Sequence, residues 1–196
     1  MHASSILIRA GLLVATLALA PAAALAADSY VIDANHTQVQ FGYTHLGYSH
    51  ITGHLGNVAG KFSFDAKDPT KSSIQVAVPI DTIAVVPALN DELKSAKFFD
   101  AAKFPTATFQ SRSVTRTGKD TLAVAGELTI HGITKPATFN VTINKIGTHP
   151  MRGVRAVGLD ATTTVKRSDF GLSFLVPNVS DEVSIHATME AYAAKK

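Results

Sequence analysis

The sequence predicts an all-β domain, an antiparallel sandwich or barrel interrupted by one short helix. Three observations predict it. Residues 122–143 hold two alternating apolar runs joined by a Gly-containing turn. About eight runs of that kind follow one another along the chain, with turn-rich segments between them. One stretch, residues 87–99, breaks the alternation with helical spacing.

The first 26 residues stand apart. Arg9 gives a positive flank, residues 10–20 are apolar or small throughout, and Ala24-Leu25-Ala26 reads as A-x-A. This is the pattern of a secretory signal peptide cleaved after Ala26, and the run is shorter than the ~20 residues of a membrane span. Residues 27–196 are then expected to form one exported domain that does not span a membrane, periplasmic or secreted. Without Arg9 that domain carries 17 Lys+Arg against 15 Asp+Glu, a formal +2 (18 − 1 − 15), scattered without a basic run that nucleic acid would require. There is no cysteine, which excludes disulfides, thiolate nucleophiles and thiolate metal sites.

The strands are read in order from their parity, because strand side chains alternate between two faces. Val39, Phe41, Tyr43 and His45 share one face. Val58, Gly60, Phe62 and Phe64 follow, then a turn at residues 65–73, then Ile74, Val76, Val78 and Ile80. Ala107, Phe109 and Ser111 come next. The hairpin sets Leu122, Val124, Leu128 and Ile130 beside Ala137, Phe139, Val141 and Ile143, with His131-Gly132 in the turn. Gly132 is expected to supply a positive φ there. Val157, Leu159, Ala161, Thr163 and Val165, then Val183, Ile185, Ala187 and Met189, complete the set. Residues 46–57 give a weak signal, helix or loop.

Leu89, Leu93 and Ala96 lie at helical spacing, with Lys94 and Lys97 late and Pro105 barring continuation. A helix over residues 87–97 with the aromatic tail Phe98, Phe99 and Phe104 would cap one barrel mouth.

Taken together, the motifs IDANHT at 32–37, FFD at 98–100, FP at 104–105, FQS at 109–111, GELTIHGITKP at 126–136, KRSDFGL at 166–172 and DEV at 181–183 resemble the YceI-like family of polyisoprenoid-binding, lipocalin-like exported proteins. They occur in family order over essentially all of residues 27–196. The resemblance implies an eight-stranded antiparallel lipocalin-like barrel with an elongated apolar cavity for a long-chain isoprenoid or other lipid, and a homodimer. Incomplete closure of the sheet would leave pairable backbone and point the same way. The residues expected to contact the ligand are Phe41, Tyr43, His45, Phe62, Phe64, Leu89, Leu93, Phe99, Phe109, Leu128, Phe139 and Leu159, with Arg167, Asp169 and Phe170. Periodicity alone leaves the phenylalanines open between a solid core and a cavity lining.

Family members commonly carry a His in a D-x-H-L pattern before the double aromatic. Here the stretch is Asn90-Asp91-Glu92-Leu93, so Glu92 holds the His position. No head-group or metal role of that His is carried over. An acid at the mouth favours a neutral head, such as a quinone or an amide, over a pyrophosphate. A guanidinium at Arg167 could hold a phosphate in bidentate fashion or serve the turn structurally. Asp169 is expected to accept hydrogen bonds from a turn backbone, and Asp33 and His36 to pair near the first strand.

No catalytic residue, metal ligand or cofactor is assigned. The competing class is a metal-dependent or hydrolytic cell-envelope enzyme, which needs His45, His50 and His54, or Arg167 and Asp169, to converge on a cleft. A third is a stress-related structural or interaction module, with a filled core and an exposed apolar patch.

Overall fold

A computed structural model describes residues 27–194. The expected signal peptide and its cleavage site lie in residues 1–26, outside the described residues. No helix among the described residues is long and apolar enough to cross a membrane.

The strands are β1 (Asp28–Ile32), β2 (Gln38–His45), β3 (Ser49–Leu55), β4 (Ala59–Phe64), β5 (Ser73–Pro79), β6 (Thr106–Arg116), β7 (Thr121–Ile130), β8 (Ile133–Thr148), β9 (Arg155–Lys166) and β10 (Glu182–Ala193). All pairings are antiparallel, in the order β1-β4-β5-β6-β7-β8-β9-β10, and β1 pairs β10 to close the ring. The hairpin β2–β3 continues β1 and β4 along the barrel axis. β10 pairs β1 through residues 191–193 and β2 through residues 184–188, while Val39 faces Leu55 as Tyr30 faces Phe62. Ten strands therefore fill eight staves, and the molecule is an eight-stranded closed antiparallel barrel with one short helix.

The expected strands are all present, and each sends its apolar parity inward. Residues 46–57, expected as helix or loop, contain strand β3. Its alternation is hidden in the sequence because an inward position is Gly53, where a Cβ would stand 2.5 Å from Cζ of Phe41. Closure of β1 on β10 pairs the two edges of the eight-stave ring. Free backbone is left on β3, whose outer side is held by the bridge between His54 and Ala84.

The hairpin turn is the tight one its sequence signals. Ile130 faces Ile133, and both His131 (φ 52°) and Gly132 (φ 73°) are left-handed, the geometry that matches the twist of the flanking strands.

The chain leaves the sheet after β5 and returns at Pro105, whose carbonyl accepts from Ile80 N at 2.9 Å. Between lies helix α1 (Pro87–Lys94), one turn shorter than expected. Ser95 ends it: its amide and hydroxyl both donate to the Glu92 carbonyl, at 3.0 and 2.6 Å. The connections around residues 46–48, 80–105, 131–132 and 167–181 share this end of the barrel.

A polar cluster lies toward the opposite end. Asp33, 8% exposed, accepts from the Asn35 amide at 3.0 Å, and its carboxylate lies 2.9 Å from Nδ1 of His36 and 3.4 Å from the Arg152 guanidinium. This is the expected Asp33–His36 pair, and it fastens the crossing from β1 to β2. Tyr192 beside it donates to Glu190 at 2.8 Å, and burial pushes its phenol up to about 12.

Candidate ligand cavity

The barrel is hollow. A cavity of about 580 Å³ runs along it, from Ser72 and Ser73 at one end to Leu175 and Val179 beside the α1 end. That volume lies within the ~300–1,000 Å³ of small-ligand sites. The core residues are arranged around the space: Phe109 and Phe139 meet edge to face at 4.8 Å in the wall, and Phe62 and Phe64 cover it from β4.

Fourteen of the fifteen residues expected to contact a ligand line this cavity. Phe41, Tyr43 and His45 come from β2, Phe62 and Phe64 from β4, and Phe109 from β6. Leu128, Phe139 and Leu159 come from β7, β8 and β9. Leu89 and Leu93 of α1, with Phe99 just beyond, close over the space, and Phe170 and Arg167 complete it at the end of β9. Parity reasoning missed Phe98, which lines the cavity, while Phe104 packs instead on His131 at 4.5 Å.

Asp169 is the exception. It is exposed and is not part of the cavity wall. The carboxylate that holds the turn after β9 is Asp181, which accepts from the Ser168 amide at 2.9 Å and its hydroxyl at 2.7 Å. Those bonds, the hydroxyl first, hold the Asp181 carboxyl below the usual range. The side chain that reaches this 3-10 turn comes from Asp181, just before β10 and across the connection, a partner no local spacing reveals.

Arg167 is occupied. Its Nε donates to Ser180 O at 2.9 Å, and its terminal nitrogens donate to the carbonyls of Leu172, Phe174 and Val179. Four of its five N–H groups therefore stitch the 171–180 connection to the barrel. A bidentate grip on phosphate would have to break this clamp, so the structural role of the two left open is the one observed.

The polar lining near the α1 end is Tyr43, His45, Glu92 and Arg167. Burial raises the Tyr43 phenol and the charge of Glu92 raises it further, so it stays a neutral hydrogen-bonding group.

The histidines do not converge. His45 faces the cavity, while His50 and His54 sit on the other parity of the same hairpin, His50 against the Thr44 hydroxyl at 3.1 Å. Among the described residues, no group of three or more His, Cys, Asp or Glu side chains could hold a metal ion. Asp169 is exposed and outside the cavity wall that Arg167 lines, so these two side chains are not brought together in the cavity.

Residues 30–191 match the profile of the YceI-like domain. The chain belongs to the YceI-like family. Its YceI-like relatives include a UPF0312 protein of Pseudomonas fluorescens, 40% identical over 194 residues, spanning 95% of this chain and 97% of the relative. Among solved structures, the barrel is similar to BcnA of Burkholderia cenocepacia, with a TM-score of 0.73 and 23% identity over 81% of this chain and 98% of that one. It is also similar to a polyisoprenoid-binding domain from Saccharophagus degradans, with a TM-score of 0.66 and 13% identity over 84% and 98% of the two chains. At these identities the structural likeness establishes the YceI-like fold.

Proposed function

We propose that this protein binds a long-chain isoprenoid or similar lipid inside the barrel, with a neutral head such as a quinone, a polyprenol derivative or a fatty amide, for carriage or storage in the periplasm. The observation that carries the reading is the cavity of about 580 Å³, walled by aliphatic and aromatic side chains along its length. Each methylene moved out of water contributes about 0.8 kcal/mol, so a long chain binds without a polar anchor, less the cost of immobilising it. The Saccharophagus domain, described as polyisoprenoid-binding, supports the same class of ligand.

The head-group preference follows from the α1 end. Among the described residues the ion pair of this helix is Lys94 with Asp91 rather than with Glu92, and the Arg167 guanidinium is spent on backbone carbonyls. A neutral head meets no repulsion, and Tyr43 can hydrogen-bond it. Binding rather than turnover is favoured because, among the described residues, those that line the cavity are mainly aliphatic and aromatic and bring no nucleophile, base and oxyanion donors together. Export rests on the pattern of the first 26 residues, and a homodimer on the family resemblance. Light scattering across dilutions tests the latter, and a monomer mass throughout would remove it.

The direct test fills the cavity. Ala161 points inward midway along β9, so Ala161→Phe should block the space while the outer ladder is unchanged. Parent protein should take up a fluorescent long-chain lipid and the variant should lose at least about tenfold in affinity. Competition between matched lipids differing in the head should favour the neutral one. Equal uptake by parent and variant would contradict the reading.

A further inference from the structure

We propose that the α1 end of the barrel docks on a lipid bilayer, with Leu46, Tyr48, Val86, Phe174 and Leu175 as the inserting side chains. The inference rests on the lipid-binding reading and adds the surface from which the ligand is taken or to which it is given.

Nine large apolar side chains are exposed among the described residues, and six of them gather at this one end: those five and Ile133 at the start of β8. Tyr48 is 92% exposed and Leu46 51%. They come from separate connections, yet the connections are laced together. Leu46 N donates to Asn178 O at 2.9 Å, Ser180 N to Thr44 O at 2.9 Å, and Val179 N to Leu175 O at 2.8 Å. The rim is therefore one surface of projecting turns.

Two features say that the apolar character is not a by-product of folding. Leu46 (φ 51°) and Leu175 (φ 65°) both hold left-handed backbone, which Gly or Asn adopts more easily than Leu. Local backbone preference would have removed both leucines. Leu175, at 45% exposure, also lines the cavity, so apolar surface runs unbroken from the ligand space to the rim.

That continuity selects the occupant. A long lipid crossing water would expose its whole chain, whereas a rim seated in the headgroup layer lets it slide from bilayer to barrel without doing so. Tyr and Phe suit that layer, and the Lys97 ammonium, 5.8 Å from the Phe174 ring centre, is placed to reach phosphates while its stem lies on apolar surface. In the 80–105 connection the acids Asp81, Asp91, Glu92 and Asp100 more than offset Lys94, Lys97 and Lys103. Attachment thus depends on apolar insertion, and net-neutral phosphatidylcholine membranes suffice.

The chain has no tryptophan, so Tyr48→Trp gives a single reporter. Protein isolated from cells expressing the full chain is titrated with phosphatidylcholine vesicles, and the same preparations are extracted for bound lipid by mass spectrometry. The emission should shift to the blue on vesicle addition. Adding Leu46→Asn, which suits the left-handed backbone, should keep or raise the thermal midpoint yet weaken vesicle binding about tenfold. Neither residue lines the cavity, so extracted lipid should be unchanged. No shift with phosphatidylcholine vesicles, with lipid still found in the extract, overturns docking and leaves the lipid-binding reading intact. A shift with a lipid-free extract upholds docking and counts against that reading instead. Should Leu46→Asn convert a dimer to a monomer while vesicles fail to bind, the rim is a contact between copies and the proposal falls.

Discussion

Phe41 lies directly over Gly53: the two are paired across β2 and β3, and a Cβ on Gly53 would stand 2.5 Å from Cζ of the ring and 2.6 Å from Cγ2 of Val85. The glycine makes room for an aromatic that lines the cavity and for the segment that leads into α1.

Gly53→Ala should therefore push Phe41 and Val85 aside. We expect a loss of about 1–3 kcal/mol in stability from overpacking, with reduced lipid capacity because the displaced ring has the cavity to move into. Urea midpoints and lipid stoichiometry measure the two effects separately.

Removing the Arg167 clamp should loosen the 171–180 connection. Arg167→Met leaves the carbonyls of Ser180, Leu172, Phe174 and Val179 without their donor, at a cost of about 1–3 kcal/mol. Arg167→Lys should recover little, since one ammonium cannot span the fork. Hydrogen exchange should accelerate first at residues 171–180.

How much of this was legible is clearest on the hairpin and on β3. Residues 122–143 have large apolar side chains at nearly every inward position, so period two is visible and the register follows. β3 is a strand by the same physics, yet its inward positions read Ile51, Gly53, Leu55, and the small one exists because of a neighbour in space. The nine strand residues among the fourteen that line the cavity are legible because lining a cavity and filling a core demand the same parity. Asp169 and Asp181 differ in a way parity does not record: which acid reaches the turn after β9 depends on the path of the 171–180 connection. The role of Arg167 was undecided for the same reason, its partners being backbone carbonyls.

Stability should fall on both sides of neutrality through the Asp33–His36 pair. The bond to His36 is the main cause holding the Asp33 carboxyl below its ordinary range, and the bond to Asp33 is the main cause raising His36. Asp33 then stabilises above its unfolded value, near 4, and that contribution is lost as pH falls through the lower folded value. His36 stabilises fully below about 6.5, and its contribution is lost as pH rises through the higher folded value. Urea midpoints from acid to alkaline pH should show His36→Gln flattening the alkaline limb. Asp33→Asn should flatten it too and shrink the acid limb, which Asp65, Asp68 and Asp181 also maintain.

Ligand release should be gated by α1. A helix of eight residues gains little from its own hydrogen bonds, so it is held by seating Leu89, Leu93 and Phe99 over the cavity. Local opening there should cost less than unfolding. Phe99→Ala should speed lipid release roughly tenfold, equivalent to about 1.4 kcal/mol, with the barrel still folded by circular dichroism.

The most direct measurement is mass spectrometry of organic extracts from protein purified without detergent, set beside Ala161→Phe prepared identically. A long-chain lipid with a neutral head, near one per barrel in the parent and depleted in the variant, is the predicted result. An extract with no long-chain lipid, together with an experimental structure in which side chains fill the barrel between Phe109, Phe139 and Ala161, would contradict the account.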